Sequence, residues 1–227
     1  MTSIYQRALG PDFERLHPRM QERFGFSSAD AVAHIGTGVM ERMTRGSFLT
    51  VPFLRFGSRR NLLFPEHGTQ VPFTVANYAY IDDFGRETIT WDRTFEFVGR
   101  RRRFDAQMIW SEERNVIVDY LGTHQHVAAD LHCWVDEDGG INFRSGEQRL
   151  YEGPLRFRMP RRLTGHARVR EWWDDEAERF RIRVDVHNPI LGHIVGYRGS
   201  FSDVTIPIDG QRQIPVGAVP CRQQEQE

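Results

Sequence analysis

Arg93 stands in the stretch Trp91-Asp92-Arg93-Thr94-Phe95. If this stretch alternates as a β-strand, Arg93 shares a face with Trp91, Phe95 and Phe97. A permanently charged guanidinium on an aromatic face needs a partner. Either it faces a cavity and binds a substrate carboxylate or enolate oxygen, or it pairs with a buried Asp or Glu, or stacks on Trp91, and only holds the fold. Met108 and Trp110 on the next alternating run complete, with Trp91 and Phe95, a candidate apolar ligand wall.

Three further groups carry candidate acid-base chemistry. Asp119 and Tyr120 lie in a run where Val116 and Val118 alternate with Ile117, so one of the two faces inward. An inward Asp among aromatics has a raised pKa and suits a general base. His124 and His126 share one strand face at i, i+2 spacing, with His132 on the same parity if the strand runs on without a bulge. Such a set suits proton transfer near neutral pH or metal binding. The opposite parity, from Val127 to Val135, is the better core face, which turns the histidines to solvent or to a polar lumen. The glycine-flanked motif and acidic ligand of cupin metal sites are missing, so no metal or other cofactor is assigned. Tyr197, in Tyr197-Arg198-Gly199, either donates to a developing oxyanion or is a packed tyrosine at a turn.

The elements that must hold these residues change character along the chain. Ser3 caps a short helix holding Ile4, Ala8 and Leu9, and Pro11 and Pro18 open two more. From about residue 36 the chain becomes extended runs separated by turn residues. The clearest is 179–187, where Phe180, Ile182, Val184 and Val186 alternate with charged residues. Residues 87–97 and 102–110 form another pair, joined by a solvated arginine turn at 100–103. Loops at 82–85, 136–140 and 174–176 mark at least three hairpins. The expected fold is mainly β: an antiparallel barrel or strongly bent sheet over 35–209, with an N-terminal helical segment, 1–34, packed on it and a flexible tail at 210–227. The aromatic content, 16 Phe, 6 Tyr and 5 Trp, is more bulky wall than a small core needs, which makes an interior cavity plausible.

Composition removes several functions. All 30 basic side chains are arginines, against 31 acidic ones, in a chain of 227 residues. With no lysine there is no Schiff-base mechanism, pyridoxal phosphate included, and no Walker A loop. Two cysteines, Cys133 and Cys221, are too few for a disulfide scaffold or a cysteine zinc site. A net charge of −1 gives no global attraction to nucleic acid or to an acidic membrane surface. No window resembles a membrane span, and Met1 to Gln6 does not read as a signal segment, so the expected location is cytoplasmic.

Several phrases together resemble a bacterial family catalogued as a domain of unknown function, found alone and fused behind oxidoreductases of the saccharopine dehydrogenase type. They are Tyr5-Gln6-Arg7-Ala8-Leu9-Gly10, Leu16-His17-Pro18, Gly36-Thr37-Gly38-Val39-Met40, Trp91 to Phe95, Gly139-Gly140, Asn188-Pro189-Ile190-Leu191-Gly192 and Tyr197-Arg198-Gly199. The resemblance implies metabolism of a small, lipid-like molecule alongside a separately encoded oxidoreductase, without a dinucleotide fingerprint here. The expectation is a pocket for a hydrophobic metabolite, performing cofactor-free isomerase or cyclase chemistry in specialised metabolism. Arg93, Tyr197, Asp119, His124 and His126 are its candidate catalytic groups. The alternative is a non-catalytic carrier of a lipid-like ligand.

Overall fold

The computed structural model describes residues 2–209, 214–225 and 227. Two short helices come first, α1 (Ile4–Leu9) and α2 (Pro18–Gly25), joined by a 3-10 turn over Gly10–Arg15. Ser3 and Gln6 form a reciprocal capping box on α1, and Pro18 occupies the first turn of α2. The strands are β1 (Val32–Arg45), β2 (Gly68–Ile81), β3 (Glu87–Phe97), β4 (Arg100–Ser111), β5 (Val116–Leu121) and β6 (Val127–Val135), then β7 (Ile141–Glu152), β8 (Leu155–Arg158), β9 (His166–Asp174), β10 (Arg179–Asn188) and β11 (Gly192–Pro207). A third helix, α3 (Val51–Gly57), lies between β1 and β2.

All strand pairings are antiparallel, running β1 to β7 in chain order, then β9, β10 and β11. Pairing of β6 with β7 and of β11 with β1 closes the ring, while β8 pairs only with β7, outside it. Among the described residues the result is a closed up-and-down barrel of ten strands, the first of the two forms, barrel or strongly bent sheet, that the alternating runs allowed. The β1–β11 seam explains two of the glycine phrases. A Cβ on Gly38 would lie 2.0 Å from the Ser200 carbonyl oxygen, and one on Gly199 would lie 2.1 Å from that of Val39. Both positions need glycine because the two backbones approach too closely for a side chain.

The helices fill one end of the bore. Phe24 of α2 packs on Trp91 of β3 and Phe143 of β7, strands from different sides of the ring, and Tyr5 of α1 meets Phe24 edge-on at 4.9 Å. Arg23 is fully buried beside them. Its Nε donates to Glu171 at 2.5 Å and its Nη1 to Asp203 at 2.6 Å, and Asp203 also holds His34 at 2.6 Å. Burial pushes the Glu171 carboxyl above its ordinary range against the pull of Arg23. The plug is tied down again where the His17 amide donates to the Gly139 carbonyl at 3.0 Å.

Two expectations change. The arginines at 100–103 are not a turn: the hairpin turns at Val98-Gly99, and Arg100 already opens β4, where Arg103 pairs with Asp92 and Asp105. The stretch 51–57 is helical, not extended. Of the stretch expected as a flexible tail, 210–213 and 226 lie outside the described residues, and the rest carries buried side chains. Ile214 and Ala218 cover Tyr78 and Tyr80 on the outer wall, and the Cys221 amide donates to Thr123 at 2.7 Å.

Candidate functional site

Above the helical plug the bore remains open as a cavity of about 1170 Å³. Ten strands make a wider ring than the eight that side chains alone can fill. Its inner end is walled by Trp91, Arg93, Phe104, Met108, Asp119 and Phe143. Its sides are aliphatic, with Leu131, Val169, Val184 and Val186 from the inward positions of β6, β9 and β10. The volume exceeds the roughly 300–1,000 Å³ of most small-molecule pockets, enough for a drug-sized or acyl-chain ligand.

Arg93 is the cation of this inner end. Its Nε donates to the Phe104 carbonyl at 3.1 Å and its Nη1 to the Tyr197 hydroxyl at 3.4 Å, and its guanidinium sits 3.8 Å from the Phe104 ring centroid and 5.5 Å from that of Trp91. Among the described residues no carboxylate lies within ion-pair distance of it. The buried, carboxylate-paired arginine that the sequence allowed at position 93 is instead Arg23.

Asp119 faces the same space from β5, directly across from Met108 in the β4–β5 register, while Tyr120 turns outward into a separate cluster. The alternation on this strand therefore puts the aspartate inside. It is buried, and among the described residues its Oδ1 has no hydrogen-bond partner. Burial pushes its pKa up to about 7, with the positive charge of Arg93 pulling the other way. A carboxyl poised between its two protonation states beside an unneutralised guanidinium is able to exchange a proton while the guanidinium holds an adjacent oxyanion.

Tyr197 does not reach the cavity lining. It is buried behind Arg93, edge-on to Phe95 at 5.5 Å, and its hydroxyl accepts from Arg93, so it positions the guanidinium. Phe95 lies in the core between Phe64 and Phe73. Trp110 is off the cavity, donating to Glu112 at 3.0 Å with Arg7 over its ring. Met108 does line the space, and its sulfur accepts from the Tyr5 hydroxyl at 3.5 Å.

His124 and His126 lie on the loop between β5 and β6, not on a strand, with Gln125 between them in a left-handed conformation at φ 51°. Their rings stack at 5.4 Å and both line the cavity, in the company of Arg60 and Glu152. His126 Nδ1 is 2.8 Å from Glu152 and 3.1 Å from the Tyr151 carbonyl, and burial lowers its pKa. His132 is on β6 and points outward, away from the other two, because β6 only begins at Val127. Among the described residues no three His, Cys, Asp or Glu side chains are grouped to hold a metal ion.

The site residues that sequence reasoning missed lie mainly at the opening. Phe53 and Phe56 of α3, Leu155 of β8, Leu163 and Ile190 all line the cavity. The phrase Asn188-Pro189-Ile190-Leu191 builds part of this rim: Asn188 Oδ1 accepts from the amides of Ile190 and Leu191, both at 2.9 Å, and its Nδ2 donates to the Thr164 carbonyl at 2.8 Å. The amphipathic signal of a seven-residue helix is too short to separate from a strand, which hid α3.

A family model described as Domain of unknown function (DUF4166) matches residues 16–201. Among curated proteins, Uncharacterized protein YndH of Bacillus subtilis (strain 168) is 34% identical over 203 residues, 89% of this chain and 98% of the relative. No solved structure gives a significant match.

Proposed function

The chain belongs to the DUF4166 family, and from that footing we propose that its barrel binds an apolar small molecule carrying a carbonyl or carboxylate group, on which it performs cofactor-free acid-base chemistry. The observation that carries this is the pairing of Arg93, which has no carboxylate partner, with Asp119, which has an unpartnered oxygen and a pKa near 7, at the closed end of an otherwise apolar cavity. Structural arginines and carboxylates in protein interiors neutralise each other at contact distance, as Arg23 does with Glu171 and Asp203 here. Arg93 and Asp119 do not.

In this scheme Arg93 receives the substrate oxygen, held at its angle by Tyr197 and the Phe104 carbonyl. Asp119, as carboxylate, takes a proton from the carbon next to the substrate carbonyl. The electron pair moves to the carbonyl oxygen as an enolate, stabilised by Arg93, and the proton returns from Asp119 to another carbon of the conjugated system. The outcome is an isomer of the substrate, with no net oxidation and no cofactor. His124 and His126 stand toward the opening with Glu152, where they meet the distal part of a bound molecule.

The first test uses cis-parinaric acid, a fluorescent carboxylate with an apolar tail. Uptake by the wild type and loss of uptake in Arg93→Met, with folding intact, supports the site. Equal uptake by both removes Arg93 from it. The proton-transfer step is read by NMR as deuterium exchange from solvent into apolar ketones, which Asp119→Asn should abolish while leaving parinarate uptake in place.

A second reading rests on the aliphatic walls: a carrier that holds a lipid-like molecule for a separate oxidoreductase. It takes up parinarate equally well but catalyses no exchange.

A further inference from the structure

The opening of the cavity has a composition unlike the rest of the chain. Phe53, Phe56, Leu155, Leu163 and Ile190 are 71%, 60%, 57%, 74% and 66% exposed, yet each also lines the cavity. A side chain that touches both solvent and the lumen must stand at the mouth. These five come from three separate segments: α3, β8 with the turn after it, and the β10–β11 turn. They surround the opening, and Phe48 and Leu49 just before α3 and Phe157 on β8 are exposed as well. Contiguous apolar surface of this kind marks an interaction site.

The charge of these segments is equally one-sided. The chain as a whole carries −1, but residues 47–65, 153–165 and 188–194 contain seven arginines and no Asp or Glu. Arg60 is held by Glu152 at 2.7 Å and Arg158 by Glu147 at 2.8 Å. Arg55, Arg59, Arg156, Arg161 and Arg162 are exposed and make no ion pair among the described residues. Aromatic and aliphatic side chains that enter the acyl boundary, set in a collar of cations that meets anionic headgroups, match the surface of an acidic bilayer. A second copy of the chain fits poorly, because it would bring two arginine collars face to face.

We propose that the mouth of the barrel docks on an anionic lipid surface, and that the apolar ligand passes between bilayer and cavity through it. This rests on the cavity being a ligand site. A water-poor route suits such a ligand, which partitions into the bilayer and leaves little free in solution.

The test is flotation of the full chain with vesicles of phosphatidylcholine alone and of phosphatidylcholine mixed with phosphatidylglycerol, alongside parinarate uptake from solution. The wild type should float with the mixed vesicles roughly tenfold more strongly than with neutral ones, and added salt should remove the difference. Phe48→Ser with Leu49→Ser, and Arg156→Glu with Arg161→Glu, should each lose flotation while still taking up parinarate, because these side chains are exposed and do not line the cavity. A wild type that takes up parinarate but ignores both vesicles overturns the docking and leaves the pocket. Flotation without uptake keeps the docking and overturns the pocket. Flotation unchanged in both rim variants, or a stable dimer in sedimentation velocity that the rim variants dissolve, also overturns the docking.

Discussion

Replacing Asp119 by asparagine removes a carboxyl that the fold makes harder to ionise, without changing its size. In the unfolded chain the group titrates near 3.8, and in the barrel burial moves it to about 7. The native state therefore holds the proton more tightly, and stability falls as pH rises through the window between those values. Each unit of difference is worth about 1.4 kcal/mol, so ionisation costs the native protein about 2 kcal/mol at pH 5 and about 4 kcal/mol at pH 8. The substituted amide, which does not titrate, bears none of this. Urea unfolding of both proteins should show the variant gaining on the wild type by about 2–3 kcal/mol between pH 5 and pH 8. Asp105, also pushed up to about 7 by burial, is common to both proteins and cancels in the difference. A gap that stays constant across this range refutes the environment assigned to Asp119, and with it the proton exchange proposed for the site.

Other substitutions separate structure from site. Arg93→Met should keep the thermal midpoint within a few degrees, since no carboxylate is left unpaired, while weakening parinarate binding by roughly 10- to 100-fold, the worth of a charged hydrogen bond. Arg23→Met should cost about 3–5 kcal/mol in urea unfolding, because Glu171 and Asp203 remain buried without their cation. Gly38→Ala drives a methyl into the Ser200 carbonyl at the seam and should cost at least about 1–3 kcal/mol, visible as a lowered midpoint by circular dichroism.

Much of the architecture was legible because a half-buried strand announces itself by alternation. β10 shows it from Phe180 to Val186, and the acidic and glycine turns divide its neighbours. Closure was not legible, because alternation is the same in a bent sheet and in a ring. The glycines at 38 and 199 carry that information only once β1 and β11 are known to be partners. Parity put Arg93 on an inward face but left Asp119 and Tyr120 as alternatives, which only the placement of β5 in the barrel separates. Parity misplaced the histidines, because it assumes a strand: His124 and His126 precede β6, so their agreement with His132 was accidental. Arg23 was overlooked because nothing about an arginine on a short helix says that the helix lies inside a barrel. The balanced net charge concealed the arginine collar, since the compensating carboxylates lie elsewhere on the molecule.

The central claim is that the bore holds an apolar ligand. Native mass spectrometry of the wild type and of Ala129→Trp, which places an indole in the lumen from a position that lines it, tests this most directly. The wild type purified from its own host should carry a co-purifying apolar molecule that the tryptophan variant lacks. Bare chains in both, with no uptake of parinarate by the wild type, would contradict the account.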